Sequence, residues 1–195
     1  MTKKKQSSVF STLGATNHSY GERETNDFYA TDPKALELLL KKETFSNVWE
    51  CACGQGHLSE VLKKHKIHSK STDLINRGYG DGMFDFLAID NLQWNGDIVT
   101  NPPFKYAVEF VEKSLQIIPN GNKVAMFLRI QFLEAQDRKH LFQTQPPKHI
   151  YVASGRINCA KNGDFVNYGK GSALCYAWFI WENGFKCDSV IRWFN

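Results

Sequence analysis

The stretch NKVAMFLRI, residues 122–130, constrains this chain more than any other. Val124 to Leu128 are five consecutive apolar residues, with no polar face to turn toward water. An Asn-Gly turn at 120–121 precedes them, so the segment reads as a short strand. A strand without alternation belongs in a sheet covered on both sides, which is the setting of parallel sheets flanked by helices.

The remaining segments supply those helices. TDPKALELLLKK (31–42) predicts a helix, with Asp32 or Thr31 as cap and Pro33 in the first turn; Leu36, Leu39 and Leu40 share a face. SNVWECACGQGHLSEVLKKHK (46–66) reads as strand, glycine turn and helix, with Leu58, Val61 and Leu62 at helical spacing. IHSKSTDL (67–74) is a weaker strand ending near Asp73, and GDIVTNPP (96–103) a short buried one. YAVEFVEKSLQII (106–118) predicts an amphipathic helix with Val108, Val111, Leu115 and Ile118 inward. EAQDRKHLF (134–142) predicts a helix and KHIYVASGRI (148–157) a further strand. From Ala173 to Phe194 the pattern is two strands joined at Glu182-Asn183-Gly184, a hairpin signal. Alternation of strand and helix argues an α/β doubly wound sheet, with the C-terminal hairpin adding an antiparallel strand at one edge.

At 195 residues the chain is expected to form one domain with a substantial core. Residues 1–27 are polar and read as a loosely held arm, leaving 28–195 as the domain. No apolar run approaches the roughly 20 residues needed to span a bilayer, so no membrane partner is expected. The opening MTKKKQSS lacks an apolar segment behind its charges and does not read as a secretory signal. Five cysteines, two of them at Cys51 and Cys53, suit reduced thiols in a cytoplasmic protein better than a disulfide framework. No paired hooks or histidine spacing point to a metal. A net charge of +4 is compatible with a nucleic-acid partner without demonstrating one.

In open α/β sheets, ligands bind at the carboxyl ends of the strands, and two unusual stretches fall there. In ECACGQGHL (50–58), Gly54 and Gly56 allow a tight turn and close approach of backbone to ligand. Glu50 ends the strand before this turn, and Asp73 ends the next strand where a ribose-binding acid belongs. A dinucleotide reading fits less well, since Ser59 stands where the third glycine would be. An acid at Glu50 would repel a pyrophosphate but attract the amino group of a methionine moiety. S-adenosylmethionine is therefore favoured over NAD.

The second stretch is Asn101-Pro102-Pro103-Phe104. Prolines fix the turn and cannot donate, so it presents acceptors: the Asn101 side-chain oxygen and the Pro102 carbonyl. Two acceptors can take both hydrogens of an aromatic NH2 group and localise its lone pair, while Phe104 offers a stacking face. The plain alternative is a proline turn with an asparagine cap.

With these residues the sequence resembles the amino-group methyltransferases that use S-adenosylmethionine. NPPF matches their Asp/Asn/Ser-Pro-Pro-Tyr/Phe/Trp signature, and ECACGQGHL looks like their cofactor loop. The chain resembles more closely the small phage and prophage DNA N-6-adenine methyltransferases, through VFSTLGATNHS, DFYATDPKAL, STDLINRGYGDGMFDFL, NPPF and LRIQFLE. The resemblance implies a Rossmann-like, seven-stranded class I methyltransferase sheet. It implies that Tyr29, Thr31 and Asp32 close over the methionine end of the cofactor, and that Glu50, Cys51, Gly54 and Gly56 form its loop. Asp73 would hold the ribose, Asp85 with Phe86 and Leu87 the adenine, and Asn101 to Phe104 the target base of DNA. Cys51 stands where many relatives carry proline, and direct transfer needs no covalent nucleophile.

No large recognition domain is evident. Residues 155–172 are the candidate for a small recognition loop, although an ordinary surface loop reads equally well. Lys105, Arg156, Lys161 and Lys170, with the lysines of the arm, are candidate phosphate contacts. Methylation of cytosine, RNA or a protein glutamine would use the same turn, and a non-catalytic binder and an NAD oxidoreductase are the other readings.

Overall fold

The computed structural model describes residues 28–157, 159–161, 163–168 and 174–195. The elements run β1 (Tyr29–Thr31), α1 (Pro33–Leu39), β2 (Val48–Glu50), α2 (His57–Lys64), β3 (His68–Ser71) and β4 (Ile98–Thr100). A 3-10 turn, Phe104–Tyr106, leads into α3 (Ala107–Ile117) and β5 (Lys123–Arg129). Two further 3-10 turns precede α4 (Lys139–Thr144), followed by β6 (His149–Val152), β7 (Cys159–Lys161), α5 (Phe165–Tyr168), β8 (Tyr176–Glu182) and β9 (Val190–Trp193).

Seven strands form one mixed sheet in the order β3-β2-β4-β5-β8-β6-β9. Strands β3, β2, β4 and β5 are parallel, β8 runs antiparallel to both β5 and β6, and β9 is parallel to β6. The apolar run that opened the sequence argument is β5, and its pleat divides two cores. Val124, Met126 and Leu128 pack on one face with Val111 and Leu115 of α3 and Leu141 of α4. Ala125 and Phe127 pack on the other with Leu36 and Leu39 of α1 and Val61 and Leu62 of α2. Alternate side chains thus bury on opposite faces, as a two-residue period requires. Each such buried side chain larger than alanine contributes about 1.5–3 kcal/mol. Phe110 rather than Val108 completes the buried face of α3, with Val108 only half-buried.

The C-terminal strands differ from the expected hairpin. The antiparallel strand β8 is present, but it lies inside the sheet, and β6 separates it from β9. The Asn183-Gly184 turn pairs with another turn instead: Gly121 N–H donates to the Asn183 carbonyl at 2.9 Å, and Asn183 N–H to that of Asn122 at 2.9 Å. The chain then passes the start of β6, where Val190 N–H donates to the Lys148 carbonyl at 3.1 Å. Residues 134–138 form turns rather than the start of a helix, so α4 begins only at Lys139. Among the described residues no helix is long and apolar enough to cross a membrane.

A second, two-stranded sheet pairs β1 antiparallel with β7, matching Tyr29 with Lys161 and Thr31 with Cys159. Ile157, Cys159 and Ala160 are buried, so this part of the expected recognition loop is packed structure. The expected N-terminal arm and Lys170 lie outside the described residues.

Candidate active site

Because β2, β3, β4 and β5 are parallel, their carboxyl ends bring Glu50, Asp73, Asn101 and Arg129 to one edge of the sheet. They line a single cleft of about 1000 Å³ together with Tyr29, Thr31, Cys51, Asp85 and the Asn101–Phe104 turn. This volume is at the upper end of single-ligand pockets, leaving room for two reactants side by side.

On the glycine-loop side, Gly54 and Gly56 both have positive φ, at 55° and 85°. A side chain at Gly54 would fall 2.2 Å from the Phe28 ring, and one at Gly56 2.4 Å from that of Tyr79. Close packing of two rings on the loop therefore excludes other residues at both positions. Gly54 N–H donates to Asp73 Oδ2 at 2.8 Å and Ile75 N–H to Oδ1 at 2.9 Å. Asp73 is thus fixed across the loop, with lone pairs left on both oxygens.

Glu50 is 2% exposed and accepts a hydrogen bond from Ser59 Oγ, which also contacts Ser71 Oγ. Burial pushes its carboxyl up to about 8, the Ser59 hydrogen bonds work against that shift, and the Asp73 charge adds to it. Among the described residues Glu50 has no ion-pair partner. Burial likewise raises the thiols of Cys51 and Cys53, the latter to about 12, so neither is an activated nucleophile.

On the other side, the Asn101 amide is held by the small sheet. Its Nδ2 donates to the Tyr29 carbonyl at 2.9 Å and to Thr31 Oγ1 at 2.9 Å, with Cys159 Sγ at 3.9 Å. A carbonyl can accept only from the NH2 end, which fixes the orientation of the amide. Oδ1 is left as the acceptor end of a side chain that lines the cleft. The Pro103 carbonyl takes Tyr106 N–H at 3.0 Å and closes the 3-10 turn. Pro102 lines the cleft, and the Phe104 ring is 37% exposed there.

No protein-family model matches this chain, and no curated protein matches it. Solved structures do. A predicted O-methyltransferase of Agrobacterium tumefaciens superposes with a TM-score of 0.56 at 12% identity, covering 83% of this chain and 85% of its own. A class I S-adenosylmethionine-dependent methyltransferase of Listeria monocytogenes gives 0.52 at 12%, over 84% of this chain. The M protein of the type I restriction enzyme EcoKI gives 0.52 at 14%, over 82%. The chain spans 63% of the length of the Listeria protein and 44% of the EcoKI M protein.

The fold is that of the class I S-adenosylmethionine-dependent methyltransferases.

S-adenosylmethionine is the cofactor expected of the class I fold, and the donor set fits it. Glu50 offers a buried carboxyl without a cation among the described residues, suited to an ammonium group, and Asp73 offers anchored oxygens suited to ribose hydroxyls. Asp85 lies at the exposed rim of the cleft, its Oδ1 accepting from Leu87 N–H at 3.1 Å and Ala88 N–H at 3.2 Å.

Several predicted positions take other places. Asp32 does not line the cleft but caps α1 through Lys34 N–H at 2.9 Å. Phe86 touches the cleft but is 2% exposed, stacked on Phe110 at 5.1 Å, so its ring belongs mainly to the core. Lys105 lines the cleft, whereas Arg156 is exposed away from it and Lys161 sits on β7. The His57 ring lies 5.3 Å from that of Phe165.

Phe28, Arg77, Cys159, Tyr176 and Arg129 were not expected at the site. Arg129 had a signal, a charge closing an apolar strand at the ligand-bearing edge. Cys159 had none, because the pairing that brings it to Asn101 joins residues about 130 apart.

Proposed function

We propose that the protein is an S-adenosylmethionine-dependent methyltransferase that modifies the 6-amino group of adenine in DNA. The observation that carries this reading is the fixed Asn101 amide in the cleft wall: its NH2 end is tied to Tyr29 and Thr31, which leaves its oxygen as the end free to accept. S-adenosylmethionine, bound through Glu50 and Asp73 beside Tyr29 and Cys51, supplies an electrophilic methyl group. Asn101 Oδ1 and the Pro102 carbonyl accept the two hydrogens of the target amino group. Drawing those hydrogens out of the ring plane localises the nitrogen lone pair, which is stabilisation by dipoles already in place. Phe104 stacks on the base and offsets the few kcal/mol that extrusion from a duplex costs, since base–aromatic stacking contributes about 1–3 kcal/mol. Pro102 and Pro103 hold the turn so that neither acceptor rotates away.

The test is incubation with radiolabelled cofactor and unmethylated DNA, with RNA in parallel, followed by digestion to nucleosides. Label in N6-methyl-2′-deoxyadenosine from DNA is the expected result, and label in no nucleoside, or only in nucleosides from RNA, would refute the reading. Asn101→Ala should keep cofactor affinity and reduce transfer about 10²–10³-fold, the effect of removing one such preorganised contact.

A further inference from the structure

Arg129, the last residue of β5, lines the cleft beside the proline turn. Its guanidinium carbon lies 4.5 Å from the centroid of the Phe104 ring. Buried Tyr176 lines the cleft with it. Among the described residues the buried Nε of Arg129 has no hydrogen-bond partner, and no ion pair includes Arg129.

We propose that Arg129 is a phosphate site, taking the backbone phosphate of the nucleotide whose base enters the Asn101–Phe104 turn. The inference rests on the methyltransferase reading and narrows its substrate class. A half-buried cation with an unsatisfied buried donor and, among the described residues, no carboxylate partner is costly. A neutral base edge would satisfy its donors but leave the charge, whereas a phosphate does both, and a guanidinium fork matches phosphate oxygens in pairs. Stacking on one face of Phe104 also places the charge close to a base lying on the opposite face, where that base's own phosphate is within reach. A glutamine side chain or a free nucleobase would bring no anion to this point. The substrate is therefore a nucleotide unit in a polyanion.

The test uses a short mixed-sequence single-stranded DNA carrying a fluorophore, and its RNA counterpart, with saturating S-adenosylhomocysteine. Anisotropy gives affinity across about 50–200 mM salt, where phosphate contacts dominate the dependence. R129Q should weaken binding about 5–10-fold and reduce the slope of log affinity against log salt by about 0.7, the loss of one single-strand phosphate contact. R129K, which keeps the charge without the fork, should hold the parent slope and bind about threefold more weakly.

A parent slope retained in R129Q would overturn the assignment, even with methyl transfer intact. Where R129Q loses cofactor affinity, R129K decides, and a slope reduced by about 0.7 there would also overturn it. A parent protein that transfers methyl groups yet binds neither polymer refutes the phosphate site. One that transfers to no substrate but shows the Arg129 slope defeats the enzymatic reading instead.

Discussion

Replacing Glu50 with glutamine should stabilise the protein while weakening its hold on the cofactor. The carboxyl is 2% exposed, and burial raises it from 4.5 to about 8. Between those values the folded chain holds a proton that the unfolded chain has released, so stability falls as pH rises, by at most about 1.4 kcal/mol per pH unit. It is fully present below pH 4.5, declines up to about pH 8 and is flat above. At pH 7 the ceiling on this cost is about 3 kcal/mol, and relaxation around the site reduces it to about 1–2 kcal/mol. Glutamine cannot ionise and keeps the volume and the Ser59 contact. In thermal melts at pH 7.5, E50Q should therefore gain about 3–8 °C over the parent, with the advantage shrinking towards pH 5. Cofactor binding should move the other way. A ligand ammonium recruits the ionised form, so parent affinity should rise with pH up to about 8 and release a proton. Affinity of E50Q should be lower by about 10–100-fold and lack that limb, read by calorimetry in two buffers of different ionisation enthalpy. An E50Q protein no more stable than the parent at pH 7.5, with the same pH slope, would refute the reasoning.

Gly56→Ala drives a methyl group into the Tyr79 ring at a φ of 85°, so it should cost about 1–3 kcal/mol in urea unfolding and weaken cofactor binding. Glu43, in the core beneath Lys123, His149 and Tyr151, is subject to a burial effect that opposes ionisation. The hydrogen bonds from those three residues nevertheless hold its carboxyl below its ordinary value. Its stabilisation is present above about pH 4.5 and lost as pH falls through the lowered value, so Glu43→Gln should flatten the acid limb of the stability profile. Thiol titration of the native protein should find Cys175 and Cys187 reacting quickly, with Cys51, Cys53 and Cys159 reacting only on unfolding.

What could be read from the sequence was local. The glycine turn, the proline turn and the both-faces burial of β5 each follow from residues within a few positions of one another, and all three stand in the structure. The strand-end acids Glu50 and Asp73 follow from the same logic and meet in one cleft. What escaped was set by distant pairing. Nothing near Glu182-Asn183-Gly184 tells that β6 will insert between the two strands of an otherwise well-formed hairpin. Nothing in residues 155–172 shows that Cys159 will pair with Thr31. The resemblance implies a cofactor contact at Phe86, and only the distant partner Phe110, stacked on it, shows that the ring also serves the core.

The tether on Asn101 has one more consequence. A carboxamide is nearly symmetric in shape but opposite in polarity at its two ends, and a half-turn about its last torsion exchanges them. Seated the other way, Asn101 would meet an incoming amino group hydrogen against hydrogen. What prevents this is a carbonyl and a hydroxyl 72 and 70 residues earlier in the chain. The polarity of the proposed reaction centre is thus dictated from outside the strand that bears it.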